Sequence, residues 1–411
     1  MNRSPFVLPQ VYISTLEAVL GLDLTSKHAG RSKDRNWKEL VAGVAELSKG
    51  LTIDRVQTQS GVYLSTPIAR RAYMLYYMTT NLFKLWPAFR ELSLAGFFEQ
   101  GNRPLTHLDL GGGPGTAVWS FVLWLELEGP KQEGLQQESF NFILTDLLRS
   151  NLEDARQFQI ELAKRIPEAK GLFESLDLSD LTALKAFGAR HGKFKLLTMM
   201  NALNELDEAK DEELIRILFE LLEDEGALII IEPSSREISR RALRFRDRVI
   251  AAGGSIFAPC THNNNCPALT KEGDWCHTEI QWERPLFINA IDDEIGTLRL
   301  SLKDTYSTIR KRAGNIRDSF PSEAEVSARI VSELFDEKGR YRAFFCSDRG
   351  REEFILNKRE ESPSNRQFGE TRRYDLVQIE SFEPRPHDVK LAPGSTVNIV
   401  LTSSGARIVD K

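Results

Sequence analysis

The sequence predicts an α/β fold: a mostly parallel sheet covered by helices, preceded by a helical region and followed by a β-rich one. Three observations lead there. Strand-like and helix-like segments alternate from residue 105 to about residue 248, the pattern of a parallel sheet buried on both faces. The first of those strands runs straight into a glycine-rich turn, Gly111-Gly-Gly-Pro-Gly115. Beyond residue 320 the pattern changes to short strand-like runs separated by turn residues. The chain divides accordingly into a helical region (1–100), a Rossmann-like domain (101–255), a cysteine-rich segment (256–319) and a β-rich region (320–411).

With 411 residues there is length for two or three domains, each with its own core. The net charge of −5 gives no global attraction to nucleic acid, so any RNA contact must come from local basic surface. No stretch approaches the roughly 20 apolar residues of a membrane span, and Met1 to Pro9 lacks the apolar core of a secretion signal. The expectation is a cytoplasmic protein with no membrane association.

From Pro9 to about Glu99 the apolar residues fall at helical spacing, as in Val11, Leu16, Val19 and Leu20, then Leu40, Val41, Val44 and Leu47. Thr66-Pro67 is a helix start with proline in the first turn. That helix should carry Ala69, Ala72, Tyr73, Tyr76, Tyr77 and Leu82 and stop at Trp86-Pro87. Its tyrosine stripe reads as core.

Leu105 to Leu110 reads as a buried strand, with an apolar helix from Ala117 to Leu127 after the turn. Glycines there let backbone approach a ligand without a Cβ clash. A second strand, Phe140 to Thr145, ends in Asp146, where a carboxylate can accept both hydroxyl hydrogens of a ribose diol. A third acidic cluster, Asp177 to Asp180, follows. Phe194 to Met200 is the next strand, leading into Asn201-Ala-Leu-Asn204-Glu205, and Gly226 to Ile231 the last, ending in Glu232-Pro233. The dinucleotide fingerprint wants Gly-x-Gly-x-x-Gly. Here Gly111, Gly113 and Gly115 stand two apart after Asp109, the arrangement common in S-adenosylmethionine (SAM) sites. A plain nucleotide or NAD site is the alternative. The candidate cofactor residues are Asp109, Gly111, Gly112, Gly113, Gly115, Asp146, Asp177 and Asn201.

The chain has four cysteines, three of them spaced Cys260-x5-Cys266-x9-Cys276 in polar, turn-rich sequence, and Cys346 in a strand-like run. Buried structural cysteines usually stand singly in apolar runs, so this cluster reads as a soft-metal site. Disulfides or unrelated thiols are the plain alternatives, the first disfavoured in a reducing compartment. Four thiolates suit either zinc or an iron–sulfur cluster, and spacing alone leaves both open. His262 and His277 are expected beside the metal rather than on it.

Asp109-Leu-Gly-Gly-Gly-Pro-Gly-Thr, Glu232-Pro, Arg246-Asp, Ala258-Pro-Cys-x-His-x-x-x-Cys-Pro and Trp275-Cys-His occur in that order. Together they resemble the methyltransferase-like small-ribosomal-subunit assembly factors of mitochondria and their bacterial homologues. The resemblance runs from about Gly61 to Lys358. It implies a class I SAM-dependent methyltransferase fold, SAM as cofactor, and a [4Fe-4S] cluster held by Cys260, Cys266, Cys276 and Cys346. It also implies association with the small ribosomal subunit or its rRNA, in assembly, translation or methylation. Glu232-Pro-Ser-Ser and Cys260-Thr-His262 depart from the Glu-Pro-Gly-Thr and Cys-Pro-His common in the family; the second leaves the ligands intact.

No base is identifiable, so the catalytic residue is unassigned, and Asn201, Asn204 and Glu205 are candidates to line the substrate mouth. A basic stripe, Arg236, Arg240, Arg244 and Arg248, and a second basic stretch, Arg310-Lys-Arg312 with Arg317, are candidate RNA contacts or solvated faces. Three functions compete: a ribosome-associated methyltransferase, a non-catalytic rRNA-binding assembly factor, and a methyltransferase of a small molecule or protein.

Overall fold

The structure is a computed structural model that describes residues 4–25, 35–52, 62–99, 104–129, 140–166 and 170–408. Two sheets organise it. The larger takes strands β1 (Phe6–Val7), β2 (Leu105–Leu110), β3 (Phe140–Asp146), β4 (Lys170–Ser175), β5 (Phe194–Met200), β6 (Leu222–Pro233), β7 (Ser255–Ala258), β8 (Thr278–Glu283) and β9 (Ser301–Arg310). Their order is β1-β8-β9-β6-β5-β2-β3-β4, with β7 also paired to β9. Strands β2 to β6 are mutually parallel, whereas β9 runs antiparallel to β6.

Strands β2, β3 and β5 keep their expected limits to within a residue, whereas β6 runs over Leu222–Pro233 where Gly226 to Ile231 was expected. β5 is buried along its seven residues and β2 along its last four, although β2 carries Thr106, His107 and Asp109 and β5 carries Lys195 and Thr198 among their apolar residues. The residues around the cysteines belong to the sheet: β7, β8 and β9 extend the parallel core into one mixed sheet.

The tyrosine-bearing helix starts as predicted. Thr66 caps Pro67–Ala72 by accepting the Ala69 amide at 3.2 Å. It does not stop at Trp86-Pro87. The ladder widens to a π segment over Tyr73–Met78, tightens to 3-10 over Leu82–Leu85, and restarts as Trp86–Leu94. Pro87 sits in the first turn of that restarted helix, where a missing amide costs nothing. A π segment displaces side chains sideways relative to a regular helix, and here it carries Tyr73 and Tyr77.

The second sheet contains β10 (Val326–Ile330), β11 (Phe335–Glu337), β12 (Arg340–Ser347), β13 (Gly350–Asn357), β14 (Leu376–Pro384) and β15 (Val389–Leu401), around its own apolar core. Arg329 joins it to the rest. Its guanidinium pairs with Glu91 of the Trp86–Leu94 helix, and donates to the Pro259 carbonyl at 2.7 Å and the Tyr374 carbonyl at 2.9 Å. Tyr306 donates to the other Glu91 oxygen at 2.7 Å. Both charges are buried, so a desolvated pair holds the second sheet to the Trp86–Leu94 helix, while the bond to the Pro259 carbonyl ties it to the loop carrying Cys260.

Candidate functional site

In the order β4-β3-β2-β5-β6 the chain reverses direction of growth between β2 and β5, and ligands of open parallel sheets bind beyond the carboxyl ends at such a switch point. There lies a cavity of about 280 Å³ lined by Asp109, Gly111, Gly112, Gly113, Asp146, Asp177 and Asn201, among others. Seven of the eight candidate cofactor residues therefore converge on one space. Gly115 does not line it. Its φ of +91° and the 2.4 Å that would separate an added Cβ from Trp119 Nε1 give it a packing role instead.

Asp146 is anchored to the turn. Oδ2 accepts the Gly113 amide at 2.9 Å, while Oδ1 accepts the Leu148 amide at 2.9 Å and Asn151 Nδ2 at 3.0 Å. Three of the carboxylate's roughly four acceptor positions are thus filled. Burial pushes its pKa up. Asp177 Oδ1 accepts both the amide and the hydroxyl of Ser179, at 2.8 and 2.7 Å.

Asp109 is fully buried beneath Gly112, and burial pushes its pKa to about 7. Its Oδ1 accepts the Thr198 hydroxyl at 2.7 Å, and Thr198 Oγ1 in turn lies 2.7 Å from His107 Nε2. Because that hydroxyl proton goes to Asp109, His107 Nε2 must be the donor in the second bond. The remaining ring nitrogen, Nδ1, has no partner among the described residues, and burial lowers the His107 pKa to about 3.

Three other buried polar atoms are also unpartnered among the described residues: Asp109 Oδ2, Thr116 Oγ1 and Asn151 Oδ1. All three residues line this cavity. Orphaned buried acceptors of this kind mark a place where a polar ligand completes the bonding. SAM brings an ammonium group and a ribose diol, which are donors, so the donor–acceptor chemistry fits.

Asn201 holds a φ of +58°, a left-handed conformation that asparagine tolerates better than most side chains. Glu232 fixes the loop that follows. It accepts the Leu203 amide at 2.8 Å and Asn204 Nδ2 at 2.7 Å, and burial lifts its pKa to about 8. Glu232 therefore positions the Asn201–Leu206 turn from the end of β6.

A second cavity of about 780 Å³ adjoins the first, sharing Tyr63, Tyr73, Asn201, Glu205 and Leu206 with it. Lys84, Arg299 and Lys303 lie on its other walls. The sequence reading anticipated Asn201, Asn204 and Glu205 here and missed Tyr63 and Tyr73. Tyr73 was hidden in a tyrosine stripe read as core, of which Tyr76 and Tyr77 are buried although Tyr77 also lines the second cavity; the π segment that carries them has no sequence signature. Tyr63 carries no signal at all.

The cysteines form a separate place. All four are free thiols, and all four line one small cavity of about 40 Å³ together with His262, Arg246, Arg329, Arg351 and Tyr374. The strand β12 supplies Cys346 from the second sheet, while the other three come from the loops between β7 and β8. Arg246, almost wholly buried, donates to the Asn264 carbonyl at 2.6 Å and the His262 carbonyl at 2.9 Å. Asp247 accepts the Cys266 amide at 3.0 Å. Cys276 Sγ lies 3.0 Å from the Tyr374 hydroxyl and Cys346 Sγ 3.5 Å from His262 Nε2. Burial, then the neighbouring Cys276 and Cys260 charges, pushes the Cys266 thiol up to about 12.

Among the described residues no group of three or more His, Cys, Asp or Glu could hold a single metal ion as placed. The donor set nonetheless fits a larger sulfur-bridged group. Arg246 Nε and Arg351 Nε, both on residues lining this cavity, are buried donors without partners among the described residues. Unsatisfied N–H groups around four convergent thiols are the surroundings an anionic cluster requires.

The basic stripe is largely paired within the chain. Arg240 turns onto the cysteine loop, donating to the carbonyls of Ala268, Lys271 and Asp274 at 3.0, 2.9 and 2.7 Å. Arg244 and Arg248 pair with Glu208 at 2.7 and 2.9 Å. The second stretch is likewise paired: Arg310 and Arg312 with Glu225, Lys311 with Asp224, and Arg317 with Asp348. Of the stripe Arg236 is exposed, and Arg244 and Arg248 keep 42% and 36% of their side chains exposed beside their acidic partners. Charge counting along a helix could not foresee acids supplied by other elements.

The strand order, the glycine turn and the acid at the tip of the second strand define a Rossmann-like α/β protein. Within that class the chain belongs to the Rsm22 family, described as mitochondrial small ribosomal subunit Rsm22, whose model matches residues 69–369. No curated protein matches the chain. Among solved structures it is similar to a TehB-like SAM-dependent methyltransferase from Corynebacterium glutamicum, at 15% identity over 54% of this chain and 88% of that one, with a TM-score of 0.30. A SAM-dependent methyltransferase from Anabaena variabilis aligns at 15% identity over 57% and 92%, with a TM-score of 0.32. Magnesium protoporphyrin IX methyltransferase from Synechocystis, with bound SAM, aligns at 15% over 55% and 79%, with a TM-score of 0.30. Superpositions this loose transfer no activity. Among the described residues no helix is long and apolar enough to cross a membrane. The family description names the mitochondrion, where the sequence reading expects the cytoplasm.

Proposed function

We propose that this chain is a SAM-binding, methyltransferase-like factor that acts on the small ribosomal subunit or its rRNA and carries a [4Fe-4S] cluster. The observation that carries the SAM half is the cavity at the switch point, with three orphaned buried polar atoms on residues that line it. Asp146 would hold the ribose, the Gly111–Gly113 backbone would pass close to the ligand, and Asp109 and Asn151 would take its donors. Bound there, SAM supplies an electrophilic methyl group. The protein's part is then to orient an acceptor in the adjoining cavity.

Membership of the Rsm22 family, whose description names the small ribosomal subunit, supports ribosome association. The cluster reading is supported by four thiols on one cavity, beside two guanidinium nitrogens without partners among the described residues. Cys260, Cys266, Cys276 and Cys346 would hold it, and it would staple the loops after β7 to β12; zinc is the alternative occupant. A factor that keeps both ligands only to bind rRNA is the second reading, favoured by the lack of a cysteine on either substrate cavity.

Anaerobically purified protein should bind SAM in a calorimeter, contain about four iron atoms and four sulfides per chain, and co-sediment with small subunits at low salt. Absence of SAM binding refutes the first half, colourless zinc-only protein the cluster. Failure to co-sediment in both redox states refutes the ribosomal assignment.

A further inference from the structure

Five residues line both cavities and so form the wall across which a methyl group would have to pass: Tyr63, Tyr73, Asn201, Glu205 and Leu206. Resting on the SAM reading above, we propose that Glu205 is the catalytic base of methyl transfer, and that the acceptor is an N–H or O–H group entering through the larger cavity.

The chemistry of that wall leaves one candidate. Leu206 and the Asn201 amide cannot take up a proton. The phenols of Tyr63 and Tyr73 are held protonated by burial, which raises both, and by the nearby Glu205 charge. Glu205 remains, a carboxyl in the wall that receives the Tyr63 hydroxyl at 3.4 Å. The charged groups facing it are Asp146, at the tip of β3, and Glu232, at the end of β6. Both are acidic. Together with burial, the Asp146 charge lifts the Glu205 pKa to about 7, near that of an efficient general base at neutral pH. No cysteine lines either cavity among the described residues, so the covalent attack needed for methylation of a pyrimidine carbon has no nucleophile here.

The step balances with SAM as methyl donor. A lone pair on the acceptor nitrogen or oxygen forms the new bond to the methyl carbon. The S–C bond breaks, its electron pair remaining on sulfur, and the acceptor's proton passes to a Glu205 oxygen.

The placement has a consequence measurable without any acceptor. A sulfonium beside this wall favours the ionised carboxylate, so SAM, but not its neutral demethylated product S-adenosylhomocysteine (SAH), should expel the Glu205 proton. Calorimetric titration of the full chain with each ligand, in phosphate and in Tris at pH 7, reads the protons released. We expect about half a proton per SAM, since a group titrating near 7 is half protonated there, and markedly fewer for SAH. Glu205→Gln should abolish the difference, and Glu205→Asp should restore part of it. Equal release with the two ligands, or undiminished release in Glu205→Gln, overturns the assignment and points to Asp109 or Glu232. A natural protein that binds neither ligand refutes instead the SAM reading on which it stands.

Discussion

Gly112→Ala would place a methyl carbon 2.3 Å from Asp109 Oδ2, 2.8 Å from Asp109 Cγ and 3.1 Å from Leu144 Cγ. Asp109 cannot withdraw. It is hydrogen-bonded to Thr198 on one side, and its strand is paired to β3 and β5 on both edges. Leu144 is fully buried in the core. The turn must therefore lift, and overpacking of this kind costs about 1–3 kcal/mol. A lifted turn also carries the Gly113 amide away from Asp146. If that strain falls on the ligand-binding conformation, SAM affinity drops roughly 5- to 150-fold.

Gly113→Ala is the comparison, because its added Cβ meets nothing within 4 Å while its φ of +56° still penalises a side chain, by about 1–2 kcal/mol. The two are separated by a cycle with Asp109→Ala, scored by calorimetry and thermal melting. Shortening Asp109 relieves the Gly112→Ala clash, so those effects should couple by about 0.5–3 kcal/mol, whereas Gly113→Ala should add independently within about 0.5 kcal/mol. Gly112→Ala protein that melts and binds SAM normally, or two cycles with the same coupling, would refute the steric reasoning.

Arg329→Met leaves Glu91 buried without its cation, and should lower the urea unfolding free energy by about 3–5 kcal/mol; adding Glu91→Leu should recover most of it. Cys346→Ser should cut the iron content measured by elemental analysis and bleach absorbance near 400 nm, while SAM affinity stays within about twofold because the two cavities share no residue. His107 is neutral in the fold, with its pKa lowered to about 3 by burial. The unfolded chain therefore binds more protons below about pH 6.5, and stability is lost as pH falls through that value, by up to about 1.4 kcal/mol per pH unit. His107→Phe should flatten this dependence in urea titrations between pH 4 and 6.5; an unchanged slope would show that the ring is not held neutral.

Much of the sheet was legible because its strands are buried on both faces. Runs such as Leu105–Leu110 and Phe194–Met200 have no amphipathic alternative, so their limits and their acidic ends could be read by position. The glycine turn was legible for a related reason: only glycine fits above Asp109 and beside Trp119. The tyrosine helix was misread at Pro87 because proline in a first turn and proline at a stop look alike until the 3-10 break before it is known.

Local chemistry along the chain thus determined the fold class, the cofactor turn and the set of four thiols, since each is written in residues near one another or in residue types with few uses. Tertiary structure alone decided which arginines are spent on Glu208, Glu225 and the cysteine loop, that Cys346 meets the other three thiols, and that Glu205 stands in a wall between two cavities. The physical reason is common to all three. Charge pairing, thiol convergence and desolvation depend on what distant segments bring within a few ångströms, and no spacing along one segment encodes its partners.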